Sequence, residues 1–438
     1  MLFHKTGLLL TGLIFSVSFF AKGQTGRKIA LDEAIQLSLQ TSKQLKYDQA
    51  KVDEANAVLH QSRNNMLPDI NVSGAYMRMH APNVNLKLEG PQSKALTTIK
   101  VNQTAYALGT ASLPIFSGFS IRYGIESAKY LAEAAKLDAT NDKESLIQTT
   151  VSAYSNFYKA TVQVSFISES LKQAQKRVTD LTNQESSGTA VRNDLLKAQL
   201  QASNVQLSLL EAESDLKMAV VNMNILLGLP EDTELAPDTA WFMQTDQAGT
   251  VAEWESKALL NRKDILALHL REKSAHLNIK AAKSSYYPGL AVTGNYIAAD
   301  IPNLLTVTDA IGIGLGVKYN FGALWKTEAK VAQSKAKYQQ LLMNEGMLDD
   351  QIRIQINQSY QDYVLSMKKI DVYNQSVAQT TENYNILQSQ YANKVVTTTD
   401  VLEAEVALLQ AKLNYAFSRA DAVVAYKKLL QTAGLLTN

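Results

Sequence analysis

Apolar positions in this chain follow two different periods. Across 399–434, Leu402, Val406, Leu409, Leu413, Ala416, Ala420, Val423 and Leu430 recur with alternating spacings of four and three, broken at Lys427. Across 324–391, Ile356, Tyr360, Tyr363, Met367, Ile370 and Val377 do the same, with Asn374 as the gap. A mean spacing of 3.5 residues marks helices that wrap around one another. The same reading predicts helices at 32–65, 124–186, 194–228, 252–285, 324–391 and 399–434. At 1.5 Å per residue the two longest would reach about 95–100 Å and the others about 50 Å. Two short helices end to end therefore match one long helix. The expected assembly is a coiled-coil slab about 100 Å tall. An ordinary helical bundle is the alternative, but single domains rarely use helices of sixty residues.

The second period is two. Ile311, Ile313, Leu315, Val317 and Tyr319 alternate with Gly312, Gly314, Gly316 and Lys318, and Leu290, Val292 and Tyr296 alternate with Ala291, Thr293 and Asn295. Strands are predicted at 69–79, 105–116, 289–299 and 310–320. Each is about ten residues, the length of a tilted strand across a bilayer. The Gly312–Gly316 run resembles a phosphate loop only superficially, because its glycines share one face of a strand and no helix N-terminus follows directly. Four strands cannot close a membrane barrel, and an open edge is not tolerated in lipid. Copies of the chain must combine, two giving eight strands or three giving twelve, and the tall slab favours the wider barrel around a lumen.

The chain is also written twice. Residues 31–76 and 251–296 align without a gap, ending in LPDINVSGAY (Leu67–Tyr76) and YPGLAVTGNY (Tyr287–Tyr296). DLLKAQ (Asp194–Gln199) pairs with DVLEAE (Asp400–Glu405) and stays in register to Gly228 and Gly434. The expected organisation is a signal peptide at 1–23, a first repeat at 24–230, a linker at 231–250 and a second repeat at 251–438.

Composition narrows the picture. The 43 basic and 41 acidic residues nearly balance, which gives no reason to expect nucleic acid, and the lack of cysteine excludes disulfides and thiolate metal sites. Lys5, an apolar run from Leu8 to Phe20 and the small residues Ala21 and Gly23 read as a secretory leader cleaved before Gln24, with an N-terminal anchor as the alternative. No later segment approaches the ~18 apolar residues of a membrane helix, so membrane insertion must rest on strands. His60, His80, His269 and His276 are scattered, and no nucleophile elbow, Walker loop or metalloprotease motif occurs, so neither enzyme activity nor a cofactor is expected.

In this order, the two strand starts, PIFSGFSIR (Pro114–Arg122) with its counterpart KYNFGALWK (Lys318–Lys326), and the Asp194 and Asp400 motifs resemble the TolC-type outer-membrane efflux proteins over nearly all of the mature chain. The resemblance implies a mainly α fold with a transmembrane β-barrel to which each chain gives four strands. It implies a homotrimer in outer-membrane lipid, with a twelve-helix tunnel in the periplasm and an equatorial collar using residues 229–250 and the C-terminal end. Loops at 80–104 and 300–309 would face outside. Partners would be a periplasmic membrane-fusion adaptor and an inner-membrane RND or ABC pump. The function implied is a passive exit duct for tripartite efflux or type I secretion. The rival from another class is a non-conducting periplasmic scaffold.

The resemblance also singles out the two hairpin tips. Asp400 and Glu403 match the acidic pair of a DVL-acid motif that narrows the tunnel mouth, and they lie three apart on one helix face. Asp194 and Tyr391 match positions that link neighbouring tips, although Val396 stands where a supporting basic residue is usual. For Asp194 the favoured reading is local, an aspartate capping the returning helix. Gly188, flanked here by Ser187 and Thr189, keeps the glycine of the family's Val-Gly-Leu adaptor-docking motif, and Asn393, Lys394 and Val395 stand at the same turn of the second tip. Lys394 replaces the usual glycine, leaving Asn393 to supply a left-handed residue.

Overall fold

The computed structural model describes residues 27–80, 83–84, 99–238, 249–302 and 304–436. The expected leader at 1–23, most of the loop at 80–104 and residues 239–248 of the expected linker lie outside them. In the first half β1 (Arg27–Ile29), α1 (Leu31–Thr41) and α2 (Lys43–Asn64) precede β2 (Asp69–Arg78). The short pair β3 (Asn83–Val84) and β4 (Ile99–Lys100) follows, then β5 (Gln103–Phe116), α3 (Ser120–Ser186), α4 (Arg192–Leu227) and β6 (Leu235–Pro237). The second half holds α5 (Val251–Asn261), α6 (Lys263–Lys283), β7 (Gly289–Ile301), β8 (Leu305–Lys318), α7 (Ala323–Ala392) and α8 (Thr398–Thr432). No described helix is long and apolar enough to cross a membrane.

Two departures from the sequence reading are informative. The helices expected at 32–65 and 252–285 each break, at Ser42 and at Arg262, which are aligned positions of the two repeats. Ser42 leaves the helical region (ψ 121) and its hydroxyl accepts from the Leu45 amide, 3.2 Å, so it ends one helix and caps the next. Arg262 is extended (ψ 129). Its guanidinium donates to Asp264 at 2.6 Å, Gln355 at 2.8 Å and the Thr432 carbonyl at 3.2 Å.

The chain forms two compact units, each drawing on both repeats. One takes described residues from 27–37, 153–238 and 376–417. In it β1 pairs in parallel with β6, an element the periodicity did not predict because three residues carry no period. Tyr154 pins this pair: its hydroxyl donates to the Ile29 carbonyl at 2.8 Å and accepts from the Asp238 amide at 2.8 Å, and burial pushes the phenol up to about 12. Between helices, Ile167 packs with Val205 and Ala212, and Leu181 with Leu195 and Ala198.

The other unit takes described residues from 38–152, 249–375 and 418–436. Its helical core joins Trp254, Ala258, Ile265, Ile352, Ile356, Tyr363, Leu429 and Ala433, so the predicted α7 seam is buried at Ile356 and Tyr363. In α8 the expected stripe is only half the story. Leu413, Ala420 and Val423 are buried, but Val406 is half-exposed, and Val401, Ala404, Ala411 and Leu429 are buried on a second stripe.

This unit also carries an antiparallel sheet in the order β2-β5-β7-β8. Its register puts Ile70, Val72, Leu113, Leu290, Val292, Tyr296, Ile311, Ile313, Leu315 and Val317 on one face. Asn71, Ser73, Thr110, Ser112, Thr293, Asn295 and the three glycines Gly312, Gly314 and Gly316 share the other. The apolar face is bare, with Ile313 at 83% and Leu315 at 80% exposure. β2 and β8 are the sheet's unpaired edges.

Candidate functional site

The two helix hairpins end in the first unit, in turns of one design. After α3, Thr189 N donates to the Gln184 carbonyl (2.8 Å) and Gly188 N to that of Glu185 (3.0 Å). After α7, Val395 N donates to Gln390 (2.9 Å) and Lys394 N to Tyr391 (2.9 Å). Both are Schellman closures, which need a left-handed residue just past the helix. Gly188 supplies it in the first tip (φ 72) and Lys394 in the second (φ 60). Asn393 therefore does not take the left-handed role expected of it. The hydrogen-bond pattern fixes the position one residue later, and Asn393 instead donates its side-chain amide to the Ser389 carbonyl at 2.9 Å. In the first tip Ser187 and Thr189 hydroxyls lie 3.0 Å apart and both reach Gln184.

The returning helices start differently. Thr397 caps α8: its hydroxyl accepts from the Asp400 amide, while Asp400 Oδ2 accepts from the Thr397 amide at 2.8 Å and its hydroxyl at 2.7 Å. This reciprocal box satisfies free amides at the helix start. The bonds from Thr397 hold the Asp400 carboxyl below the usual aspartate range. In α4 the cap position is Val191, which has no side-chain acceptor, and Asp194 lies in the first turn without capping it. The capping role expected at Asp194 is not filled there, whereas Asp400 shares one with Thr397, because only the second tip has a hydroxyl three residues before its aspartate.

Tyr391 accepts a hydrogen bond from Thr398 Oγ1 at 3.2 Å, within its own tip. Glu403 is exposed and lines a groove of about 690 Å³ between α4 and α8, with Lys197, Leu200, Thr399 and Val406. Lys197, aligned with Glu403 across the duplication, donates to Thr399 Oγ1 at 3.0 Å and so ties the two hairpins. Deeper in, Arg177 lies 3.1 Å from Glu405, both nearly buried. Burial raises the Glu405 carboxyl, and the adjacent guanidinium only partly offsets it. Neither Lys197 nor this pair stood out in the sequence. The one signal was a glutamate closing DVLEAE where the first copy has Gln199. No group of three or more His, Asp or Glu among the described residues could hold a metal.

A family profile described as outer membrane efflux protein matches residues 34–229 and 254–435. The chain belongs to that family. Members of the outer membrane efflux protein family are channels rather than enzymes, and they reside in the outer membrane. Outer membrane efflux protein BepC of Brucella suis biovar 1 (strain 1330) is 23% identical over 328 residues, covering 74% of this chain and 70% of BepC. Toxin and drug export protein A of Aggregatibacter actinomycetemcomitans is 23% identical over 339 residues, covering 74% of this chain and 73% of that protein. Among solved structures, the outer-membrane channel OprN superposes with a TM-score of 0.77 at 17% identity, covering 92% of this chain and 89% of OprN. The efflux-family fold thus extends over nearly the whole chain.

Proposed function

We propose that three copies of this chain form the passive exit duct of a tripartite efflux or type I secretion system. Their twelve strands would close a barrel in outer-membrane lipid, and their helices would continue it as a periplasmic tunnel. The carrying observation is the four-stranded sheet with a bare apolar face, a polar face and two unpaired edges. In water such a face and such edges are liabilities. In lipid the face is solvated, and pairing β2 of one copy with β8 of the next removes every edge. The polar, glycine-rich face then lines the lumen.

The tips supply the gate in this reading. Asp400, Glu403, Asp194 and Tyr391 surround the aperture, and the turns at Ser187–Thr189 and Asn393–Val395 meet the periplasmic adaptor that connects to an inner-membrane RND or ABC pump. The chain brings no energy source of its own, so solute moves by diffusion once the tips part. Purified protein in planar lipid should give discrete, ohmic channels. A particle of three chains that gives no channels would leave only the scaffold reading.

A further inference from the structure

The duplication holds a template for a contact between copies. Within the chain the first repeat meets the second where β5 lies beside β7, and the corner after β5 rests on the segment entering β7. Gly118, at φ 62, is buried in that corner. A Cβ on it would come within 2.5 Å of the Ser284 carbonyl oxygen and 3.1 Å of Tyr287 Cβ. The two segments touch backbone to backbone, and Ser284 is only 5% exposed.

Each participant has an aligned counterpart at the other end of the sheet. Gly322 stands for Gly118 in KYNFGALWK, Leu67 for Tyr287 in LPDINVSGAY, and Asn64 for Ser284. Gly322 follows β8 and Leu67 precedes β2, the two unpaired edges, so two strands separate them within one chain. Both counterparts lie open. Phe321 is 70% and Trp325 66% exposed, and Met66 and Leu67 are similarly bare. The second repeat places these two large rings where the first has Ser117 and Ile121.

We propose that the Phe321–Trp325 corner of one copy seats on the Asn64–Leu67 segment of a second copy, as the Gly118 corner seats on Ser284–Tyr287 within the chain; this rests on the trimeric reading above. The occupant is a second copy because antiparallel pairing of β8 with a neighbour's β2 brings the exit of one strand beside the entry of the other. Carried across by alignment, the register that sets Pro114 opposite Ala291 sets Lys318 opposite Asn71 of the neighbour. Gly322 does not share the left-handed φ of Gly118, so the corner differs in detail. Its missing side chain still allows the close approach, since only the Asn320 side chain lies within 3.1 Å of a Cβ there.

The natural chain has no cysteine, so a designed pair reports without background. Full-length Gly322→Cys with Leu67→Cys, extracted in detergent and oxidised, should give a non-reducing ladder ending at three chains. Either single substitution should give none. A three-chain particle without the ladder overturns this contact and leaves the trimer standing, whereas a one-chain particle overturns both. Should the cysteine pair prevent assembly, Trp325→Ala decides: its detergent-extracted three-chain particle should dissociate at a lower temperature than the natural one, and an unchanged temperature overturns the proposal.

Discussion

At the scale of single residues, the two tips show how one motif can carry different chemistry. Asp194 and Asp400 are indistinguishable by spacing, yet only Asp400 closes a box, because Thr397 replaces the apolar Val191. Thr397→Ala should loosen the first turn of α8, seen as faster amide exchange at Asp400, while Val191→Ala should leave α4 unaffected. Two carboxyls of the second tip and its returning helix, Asp400 and Glu405, respond to pH with opposite sign. Asp400, lowered by its bonds from Thr397, adds stability that is present above its unfolded value and lost as pH falls through its folded one. Glu405, raised by burial, adds stability that is present below its unfolded value and lost as pH rises through its folded one. Glu405→Gln should therefore flatten the decline in thermal stability on raising pH above the carboxylate range. An unchanged decline would assign it to another group. Asp400 was legible by motif, but not its partner, since a threonine three residues upstream is too common to stand out.

At the scale of elements, what was legible depended on side-chain size. The long helices and the strands β7 and β8 were readable because Ile, Leu, Val and Tyr mark their periods strongly. The second stripe of α8 was not, because it is built partly from Ala404 and Ala411, small side chains that mark a period only weakly. The breaks at Ser42 and Arg262 were hidden for a related reason, as neither residue is a strong helix breaker and two of the bonds that tie Arg262, to Gln355 and to the Thr432 carbonyl, come from distant parts of the chain. Gly434 closes α8 against that break: it is left-handed (φ 68), and a Cβ on it would lie 2.8 Å from the Arg262 backbone. Gly434→Ala should cost at least ~1–2 kcal/mol from conformation alone and more from the clash, measurable by thermal unfolding. A loss below that range would mean the corner yields. The sheet faces allow a sharper test. Leu315→Arg, on the bare apolar face, should cost about 2–4 kcal/mol at the bilayer midplane and depress trimer yield. Thr293→Arg, on the polar face, should assemble normally; equal yields of the two would reverse the assignment of faces.

At the scale of the whole molecule, the tip charges acquire a meaning that one chain cannot express. A single Asp400 and Glu403 form a solvated acidic turn, and at that level nothing distinguishes them from any exposed helix start. Three copies around one axis would gather six carboxylates in a narrow ring, and confined like charge attracts multivalent cations far more strongly than isolated groups do. Block of the channel by di- and trivalent cations entering from the tip side should thus be strong in low salt and weaken as ionic strength screens the ring. Because the Asp400 carboxyl is held below the usual range, its share of that charge should persist on mild acidification. Replacing Asp400 with Ala should weaken the block that remains in acid, and replacing both Asp400 and Glu403 should reduce the block at neutral pH. Channels of unaltered conductance that keep their cation block in the double variant would take both residues out of the aperture.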